Sequence, residues 1–415
     1  MSSAARTKIA VVGAGIIGSS IAFRLVQAGC DVVLIDKDRP GSGASHGNAG
    51  MIANSEFIPL ASRGTLAALP RQLLDPAGVV KLDAAYLARL LPWGLRFVGA
   101  ARRARFQRAI EILAPFCLAA PEDTAELLEE AGASKYLIQN DFVRLFKSEQ
   151  HFADNRDAWE VRRKMGLEYR FLKKEEIRGL FPDLGSGHSF GLAVKGYHHL
   201  SNPGEVVRAI ATAAESRGAK IVRGDVRHLQ PTADGVDIFL ADGKTSAQKV
   251  VVAAGAFSHR LAARIGDNIP LETERGYHVQ FLNSALTLDR CLAVTDLGLA
   301  ITPIDDHIRV TSFVEFAGLE KPPIPGRFQT IIEKALRVFP SLDQTNVSLW
   351  MGHRPSLPDG LPVIGPSSKA SRIFYCFGHG HVGMTLAAGT TRMLAEMLAG
   401  GVDPASTNPF SPDRF

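Results

Sequence analysis

The stretch KIAVVGAGIIGSSIAFRLVQAGCDVVLID, residues 8–36, decides how the rest of the chain is interpreted. Its first apolar run, residues 9–12, does not alternate with polar residues, which is typical of a parallel strand covered on both faces. Gly13, Gly15 and Gly18 follow in the G-x-G-x-x-G spacing. In that pattern the first glycine makes a tight turn, the second lets a pyrophosphate approach the backbone, and the third lets a helix pack close to the strand. The stretch therefore predicts a nucleotide-binding turn.

The second half of the stretch completes a strand–helix–strand unit. A helix is predicted over residues 16–28 and ends at Gly29, because glycine commonly follows the last turn of a helix. A second apolar strand, residues 32–35, ends in Asp36, which stands 23 residues after Gly13. A carboxylate at about this spacing binds a ribose hydroxyl in dinucleotide folds. An ordinary βαβ unit without a nucleotide is the alternative, but it does not account for the glycines and the acid together.

Two export interpretations of the same stretch conflict with its charges and polar residues. A signal peptide needs an unbroken apolar centre before its cleavage site. A membrane-spanning helix needs about 20 apolar residues in a row. Arg24, Gln27 and Asp31 interrupt the run before a cleavage site, and Gly13, Gly15 and Gly18 would weaken a spanning helix in this window. We therefore expect a folded domain here.

The composition narrows the classes of function. The chain has 415 residues, 46% hydrophobic and 21% charged, so it can bury a full core and is not a disordered chain. A net charge of +5 is too small to indicate a nucleic-acid partner. The four cysteines form no C-x-x-C pair, which is typical of a reducing compartment and gives no indication of a metal site. We expect no metal, no nucleic acid and a cytoplasmic location.

A second glycine-ended strand lies far along the chain. The segment KVVVAAGAFS, residues 249–258, has a buried-strand pattern and places Gly255 where backbone can pass close to a ligand. This strand lies more than 200 residues after the first unit, yet it is expected to join the same sheet. Residues 271–317 alternate strand patterns with turns and predict a mainly antiparallel second domain. So large an insertion counts against a nicotinamide-dependent dehydrogenase.

Two C-terminal motifs resemble a known family. The segment GHRPSLPDGLPVIG, residues 352–365, resembles the G-x-R-P-x-x-P-D-G-x-P-x-I-G element of the D-amino acid oxidase superfamily of flavoproteins. FGHGHVGM, residues 377–384, resembles that family's glycine-rich turn near the flavin ring. With the first turn, GASHGNAG at residues 43–50 and VVVAAGAFS at residues 250–258, the resemblance covers nearly the whole chain in the family's order.

Within that superfamily, two further segments resemble the bacterial D-amino acid dehydrogenases. They are ERGYH, residues 274–278, and HIRVTSFVEFAG, residues 307–318. Glycine and sarcosine oxidases are related to the same group. The resemblance is specific for the superfamily and much less so for the subfamily.

The resemblance implies two domains, each split in sequence. We expect an α/β FAD-binding Rossmann-like domain from residues 1–90, 195–265 and 345–415. An α+β substrate domain, built on a mainly antiparallel sheet, is expected from residues 91–194 and 266–344.

The resemblance also implies FAD as the cofactor and assigns residues to it. The pyrophosphate lies on the first glycine turn, the ribose on the acid, and the flavin beside residues 43–50 and the second glycine-rich turn. The expected cofactor-binding residues are Gly13, Gly15, Ile16, Ile17, Gly18, Asp36, Lys37, Ser45, Asn48, Ala49, Gly50, Val226, Gly255, Gly378, Gly380, His381, Val382, Gly383 and Met384. N–H groups at the second helix start would suit the negative charge that flavin gains on reduction.

The attachment of FAD is expected to be non-covalent. Some relatives bind FAD covalently through a histidine that precedes an A-A-G triplet. Here Gly47 occupies that position and His46 stands one residue earlier. The role of His46 stays open.

Three residues are expected to act at the substrate. In the family, the arginine of G-x-R-P binds the substrate carboxylate, which implies this role for Arg354; a pairing with the nearby Asp359 is the alternative. A guanidinium group matches a carboxylate in a bidentate way. Tyr277 resembles a tyrosine that supplies another carboxylate contact, and a packed tyrosine on a half-buried strand is its alternative. His379 is expected over the flavin edge, and a helix-cap residue satisfied by backbone is its alternative. His379, or His46 if it is close, could hold the pH dependence.

The implied reaction is hydride transfer from Cα of a D-amino acid to flavin N5. The substrate class includes a related secondary amino acid such as a D-hydroxyproline, and the imine product would be hydrolysed to a 2-oxo acid. The expected electron acceptor is a quinone or another compound that is not oxygen. The alternatives are a glycine/sarcosine-type oxidase that uses oxygen, an NAD-dependent dehydrogenase, and a non-catalytic nucleotide-binding protein. His198 and His199 could line the pocket, but a surface loop is the simpler interpretation.

A basic segment bears on where the protein works. Residues 93–108, WGLRFVGAARRARFQR, combine arginines with large apolar side chains. The simpler interpretation is a solvated helix face. The alternative is a peripheral contact with the inner face of the cytoplasmic membrane, because basic amphipathic helices lie on anionic lipid.

Overall fold

The computed structural model describes residues 7–400 and 408–415. The strands are β1 (Lys8–Val12), β2 (Asp31–Asp36), β3 (Met51–Ile52), β4 (Val80–Leu82), β5 (Leu137–Gln139), β6 (Phe142–Phe146), β7 (Tyr169–Lys173), β8 (Phe190–Val194), β9 (His198–Leu200), β10 (Lys220–Arg223), β11 (Val226–Pro231), β12 (Val236–Leu240), β13 (Gly243–Ala247), β14 (Lys249–Val252), β15 (Glu272–Phe281), β16 (Leu292–Val294), β17 (Leu299–Ile304), β18 (His307–Phe316), β19 (Val347–Ser356), β20 (Val363–Pro366) and β21 (Ile373–Phe377). The α-helices are α1 (Ile16–Gln27), α2 (Ala44–Gly47), α3 (Arg63–Leu74), α4 (Leu87–Ala100), α5 (Arg103–Glu130), α6 (Glu149–Ala153), α7 (Arg156–Lys164), α8 (Lys174–Leu180), α9 (Pro203–Ser216), α10 (Ser258–Ile265), α11 (Pro325–Val338) and α12 (Gly383–Leu398).

The first sheet has six strands in the order β10–β2–β1–β14–β21–β20. Its neighbouring strands are parallel except for β20 and β21. In the central pair, Val11 of β1 lies opposite Val251 of β14. Strands from distant parts of the chain therefore form one sheet, which confirms the split Rossmann-like domain.

Both faces of this sheet are covered, which explains the unbroken apolar sequence of β1. Val11 packs into a core that includes residues of α1, α5, α9 and α12. Ala10 and Val12 point the other way, toward the small antiparallel sheet β11–β12–β13. Because successive side chains of a strand point to opposite faces, a strand covered on both sides has no polar positions to alternate.

The second sheet is mainly antiparallel. Its order is β19–β15–β18–β17–β16–β6–β8–β7, with β4 paired to β18. Among the strand pairs that the described residues form in this sheet, only β16–β6 and β18–β4 are parallel. Helix α11 packs on one face of it through Ile331, Ala335 and Val338. The predicted antiparallel second domain is therefore confirmed.

Strand pairing suggests how the chain divides between the domains. β4 lies within residues 1–90 and β19 within residues 345–415, yet both pair in the second sheet. Conversely, α5 lies within residues 91–194 but shares a core with the first sheet. We therefore propose that β4 and β19 belong to the substrate domain and that α5 belongs to the FAD domain. The remainder of each of the five expected segments keeps its assignment.

Candidate active site

The turn between β1 and α1 has room only for glycine at two positions. Gly13 has a φ of +105°, and a Cβ there would lie 2.7 Å from the carbonyl carbon of Ala253. A Cβ at Gly18 would lie 2.9 Å from the carbonyl carbon of Gly13 and would overlap its oxygen. β14 therefore runs close beside the turn and α1 packs directly against it. This is the close packing that the glycine spacing predicted.

A cavity of about 1070 Å³ extends from this turn to the second sheet. Residues 13–17, 35–39 and 224–227 line one end, and residues of β15, β18 and β19 line the other. The first turn of α1 borders it, and the first N–H groups of a helix have no partner within the helix. A cavity of this volume, with the N–H groups of a helix start at one end, fits a dinucleotide whose pyrophosphate lies at that end.

Asp36 lies at the end of β2, beside the glycine turn. Its Oδ2 accepts a hydrogen bond from the N–H of Ala14 at 2.6 Å, and its Oδ1 accepts one from the N–H of Asp38 at 2.9 Å. Burial raises the pKa of the Asp36 carboxyl, although these two hydrogen bonds act in the opposite direction. The backbone thus fixes the carboxylate at the cavity wall, where it can accept hydrogen bonds from a ribose.

The loop with Ser45 and Asn48 supports the same turn. Ser45 Oγ accepts a hydrogen bond from the N–H of Ile16 at 2.9 Å, so it caps the start of α1. The Asn48 side chain donates to the carbonyl of Ser45 at 2.7 Å and accepts from the N–H of Gly50 at 2.6 Å. Ser45 and Asn48 therefore hold the loop in shape at the cavity, in addition to any contact with the cofactor.

The second glycine-rich turn departs from the expectation in one detail. The N–H of Gly380 donates to the carbonyl of Pro355 at 2.8 Å, so it is not free for the flavin. α12 begins at Gly383 without a side-chain cap. The N–H groups available to the flavin at this end of the cavity are therefore those in the first turn of α12, which no side chain caps.

Most of the predicted cofactor residues line the cavity. They are Gly13, Gly15, Ile16, Ile17, Asp36, Lys37, Ser45, Asn48, Ala49, Val226, Gly255, Gly380, His381, Gly383 and Met384. Four others do not. Gly18 packs α1 on its turn and Gly50 packs against Leu200, while Gly378 and Val382 border a smaller neighbouring cavity. These four residues do not line the cavity, and they contribute to the cofactor site by shaping the backbone next to it.

The surroundings of Gly47 support non-covalent FAD. A Cβ at Gly47 would overlap the indole ring of Trp350, so a histidine does not fit at this position. His278 stacks on Trp350, and its Nδ1 donates to the carbonyl of Gly47 at 2.8 Å. His46 is not among the residues that line the cavity, and its ring lies beside Gly204 of α9.

We therefore expect acid to release the cofactor. Precipitating the purified protein with acid should leave the yellow colour in the supernatant, because Gly47 occupies the attachment position and His46 is not among the residues that line the cavity. The check is the visible absorbance of supernatant and redissolved pellet. Colour that stays with a washed pellet would contradict the non-covalent attachment.

Arg354 lies on the cavity wall and is free of its sequence neighbour. Asp359 pairs with Arg414 at 2.8 Å, which removes the alternative partner considered for Arg354. Arg354 Nη1 donates to the carbonyl of Phe313 at 2.8 Å, and its guanidinium group lies over Gly276, where a Cβ would overlap it. One N–H of the group is thus fixed by the protein, and the others are available to a ligand.

The position of that carbonyl depends on a backbone irregularity. Phe313 has a φ of +66°, which is rare for a residue other than glycine. It lies where the register of β15 and β18 shifts at a β-bulge. Such conformations cost about 1–3 kcal/mol and concentrate at functional sites. The strained residue orients the arginine.

The role expected for Tyr277 is wrong. Its hydroxyl donates to Glu315 Oε2 at 2.5 Å and accepts from Arg275 Nη2 at 3.1 Å, and its ring is fully buried in the core of the second domain. The strand alternates, so Glu274 and Gly276 face the cavity while Tyr277 faces the opposite side. The packed-tyrosine alternative is the observed one.

The predicted histidines differ in what they can do. His379 lines the cavity, but its Nε2 donates to Thr390 Oγ1 at 3.2 Å and burial lowers its pKa to about 3, so it does not titrate near neutral pH. The expectation that His379 sets the pH dependence is therefore wrong. His381 is open to the cavity, and burial also lowers its pKa. His198 and His199 lie on β9 and are not among the cavity-lining residues.

An ion-pair cluster at the cavity was not predicted. Glu56 pairs with Arg144 at 2.6 Å and with Arg162 at 3.8 Å. Burial alone would raise the pKa of Glu56, but the two guanidinium groups outweigh it and lower the pKa to about 2. These residues are distant in sequence and belong to no motif, so only the fold brings them together. Glu274, although it lies in the ERGYH segment, and Trp350 were also missed, because strand register decides which side chains face the cavity.

The comparisons with known proteins identify the family. A family model described as FAD dependent oxidoreductase matches residues 8–397. A D-amino-acid oxidase of Bradyrhizobium diazoefficiens is 35% identical over 415 residues, with 98% of each chain covered. D-amino acid dehydrogenase 2 of Mesorhizobium japonicum is 26% identical, with 95% of this chain and 96% of that protein covered. The structure of glycine oxidase from Geobacillus kaustophilus has a similar fold, with a TM-score of 0.78, 22% identity, and 99% of this chain and 100% of that chain covered.

The family match fits the cavity as well as the sequence. The glycine turn that a Cβ would fill, the fixed Asp36 carboxylate and the uncapped start of α12 are the features that FAD needs. They lie along one continuous cavity. A nicotinamide-dependent or non-catalytic protein is not what the family model describes. The chain belongs to the DAO family of FAD-dependent oxidoreductases.

Proposed function

We propose that this enzyme oxidises a D-amino acid, or a related cyclic secondary amino acid such as a D-hydroxyproline, to its imine. Water then hydrolyses the imine to a 2-oxo acid. The observation that carries this proposal is the Arg354 guanidinium group, which lies at the substrate end of the cavity without a carboxylate partner. The names of similar proteins, D-amino-acid oxidase and D-amino acid dehydrogenase, support the same class of substrate.

Arg354 would bind and orient the substrate carboxylate. Its Nη1 is already held by the carbonyl of Phe313, so the planar group loses little freedom when a carboxylate binds the remaining N–H groups. The bound carboxylate fixes the direction of the Cα–H bond. FAD, when bound, supplies the two-electron acceptor that takes the hydride from Cα.

The other cavity residues control proton and water. A substrate ammonium group must lose a proton before Cα can give up a hydride, and the imidazole of His381, which is open to the cavity, is the candidate acceptor. Phe142, Tyr197 and Met351 line the walls of the cavity with apolar surface. Such walls exclude water and strengthen the charge interactions at Arg354.

For the electron acceptor we propose a quinone rather than oxygen. Substrate mixed anaerobically with the enzyme should bleach the visible flavin absorbance for D- but not L-amino acids. Stopped-flow mixing of the reduced enzyme with air-saturated buffer should then reoxidise it more slowly than a soluble quinone does. A 35% identical protein is named an oxidase and others are named dehydrogenases, so this measurement decides between them.

Two outcomes would contradict these proposals separately. If no D-amino acid or cyclic amino acid bleaches the flavin, the substrate class is wrong. If amino acids reduce it but air reoxidises it as fast as turnover with the best quinone, the enzyme is an oxidase.

A surface feature supports a membrane contact as a second proposal. On α4, Leu87, Leu91, Leu95 and Val98 are 47%, 61%, 66% and 54% exposed. Residues spaced by three or four lie on one face of a helix, so these form an apolar stripe on the surface, which we call the α4 stripe. Trp93 and Phe97, by contrast, stack on each other, and Trp93 is buried against Phe316.

The charges beside the stripe indicate which partner fits it. Exposed arginines flank it at Arg89, Arg96, Arg102, Arg103 and Arg105. Apolar side chains beside basic ones match an anionic lipid surface, where each arginine contributes about 1 kcal/mol. We propose that the stripe rests on the inner face of the cytoplasmic membrane, close to the quinone pool. No helix in the described parts of the chain is long and apolar enough to span a membrane.

The membrane proposal predicts a charge-dependent binding to vesicles. The enzyme should sediment with vesicles containing phosphatidylglycerol and not with pure phosphatidylcholine, and salt should release it. The double variant Leu91→Asp/Leu95→Asp should weaken this binding at least about tenfold, because burying one leucine contributes about 1.5–3 kcal/mol. Leu349→Asp, at an exposed leucine of β19, is the matched control and should bind normally. Absence of sedimentation, or dimerisation through the stripe instead, would contradict it.

A further inference from the structure

A carboxylate stands directly beside Arg354. Strands β15 and β19 are antiparallel neighbours, and their register places Glu274 opposite Arg354. Side chains directly opposite in such a pair lie on the same face, with their Cβ atoms about 4.5–5.5 Å apart. Both residues line the same cavity. The site therefore offers a negative and a positive group side by side.

The two charges are not paired with each other. Arg354 donates to the carbonyl of Phe313, and no salt bridge within 4.0 Å joins it to Glu274 among the residues that the structure describes. Glu274 is only 3% exposed, and its Oε2 is buried without a hydrogen-bond partner. A buried charge without a partner is costly, and proteins keep such groups where a ligand completes them.

The neighbouring groups leave this carboxylate to a ligand. The titratable groups that interact with Glu274 are Arg354, His381 and Glu272, and Glu56 acts on His381 from the same cavity. Glu56 has its own partners, Arg144 and Arg162. Burial lowers the pKa of His381, which disfavours a positive charge on its ring beside Glu274.

We propose that Glu274 binds the substrate nitrogen while Arg354 binds the substrate carboxylate. An ammonium group and a neutral amine both carry N–H donors, so the contact is available before and after the nitrogen loses its proton. The adjacent opposite charges complement a zwitterionic amino acid and disfavour a ligand that has only a carboxylate. This inference rests on the proposed function, because it names the group that distinguishes amino acids from other carboxylates.

Two unreactive probes isolate the nitrogen contact. 2-Aminoisobutyrate has no hydrogen on Cα and cannot be oxidised, and isobutyrate is the same molecule without the nitrogen. The Kd of each is measured from the perturbation of the flavin spectrum of the holoenzyme. Wild type should prefer 2-aminoisobutyrate by about 10- to 150-fold, the effect of one charge-assisted hydrogen bond. Glu274→Gln should lose most of this preference and should bind isobutyrate equally or more tightly, because the repulsion between two carboxylates is gone.

A matched control and a stability measurement exclude a structural role. Glu272→Gln changes the same charge two positions away on β15, where Glu272 accepts a hydrogen bond from Tyr86 outside the cavity, and should keep the preference. The Tm of ligand-free Glu274→Gln holoenzyme should equal or exceed that of wild type, since a buried charge without a partner is removed. A Tm lowered by several degrees would show that Glu274 has a structural partner.

The outcomes separate this inference from the proposed function. If Glu274→Gln keeps the wild-type preference while D-amino acids still reduce the flavin, the inference is overturned and the function stands. If wild type binds isobutyrate as tightly as 2-aminoisobutyrate, the inference is also overturned. If wild type binds neither probe and oxidises no amino acid, the function itself is wrong and the inference falls with it.

Discussion

Replacing Arg354 with methionine is expected to lower kcat/KM for the best D-amino acid by about 10²- to 10⁴-fold. The reason is the loss of two charge-assisted hydrogen bonds to the substrate carboxylate, each contributing about 1.5–3 kcal/mol. Methionine fills a similar volume, so the cavity wall over Gly276 should keep its shape. Steady-state kinetics with a quinone acceptor measures the loss.

The lysine variant tests the geometry of the group rather than its charge. Arg354→Lys keeps the positive charge but loses the planar fork and the fixed contact with the carbonyl of Phe313. We expect a loss of about 10- to 150-fold, corresponding to one charge-assisted hydrogen bond. Lysine should therefore fall between wild type and methionine.

An arginine outside the cavity provides the control. Arg170 pairs with Glu176 on the surface of the second domain, and Arg170→Met should leave kcat/KM within about twofold, as expected for an exposed pair. Wild-type kinetics for Arg354→Lys would mean that Arg354 is structural and that the substrate carboxylate binds elsewhere.

The second large effect is expected at the first glycine turn. Gly13→Ala should purify without FAD, with an affinity for added FAD lowered by more than about 100-fold, or about 3 kcal/mol. Alanine at φ +105° is strained, and its Cβ would lie 2.7 Å from the carbonyl carbon of Ala253 and 2.8 Å from the Cα of Ala254. These atoms belong to the backbone directly after β14, so they cannot move aside as a side chain can. The ratio of visible to ultraviolet absorbance reports the bound FAD.

Gly29→Ala is the control that introduces backbone strain without a steric clash. Its φ is +82°, also in the left-handed region, but no atom lies within 4 Å of a Cβ placed there. Gly29→Ala should therefore lose about 1–2 kcal/mol of stability through strain alone and keep its FAD. If Gly13→Ala retains FAD as Gly29→Ala does, the turn tolerates a Cβ, and the space between Gly13 and the backbone of Ala253 is wider than the structure indicates.

Short-range patterns were enough to predict the cofactor half of the protein. Gly13, Gly18 and Asp36 belong to one strand–helix–strand unit, so their geometry follows from contacts between residues that are close in sequence. Arg354 was found in the same way, from a continuous motif whose resemblance to a family carried its role. In the structure Asp359 pairs with Arg414 and not with Arg354. Because Arg414 lies outside the motif, the motif alone could not predict this pairing.

Long-range register limited the prediction of the substrate half. Tyr277 and Glu274 lie three residues apart on one strand, and the sequence pattern could not say which of them faces the cavity. A one-residue shift exchanges the two faces of a strand, and a β-bulge beside Tyr277 adds such a shift in its pairing with β18. The strained Phe313 that holds Arg354 arises at the same irregularity.

The sequence by itself predicted the glycine turn, the position of Asp36 beside it, the split Rossmann-like sheet and the antiparallel second domain, and the family resemblance singled out Arg354. Only the tertiary structure decided that Glu274 stands opposite Arg354, that Glu56 joins Arg144 and Arg162, and that the α4 stripe stays on the surface. The physical reason is the range of the interactions. Turns, caps and apolar periodicity depend on neighbouring residues, whereas strand register and side-chain pairing across domains depend on hydrogen bonds and packing between segments that are distant in sequence.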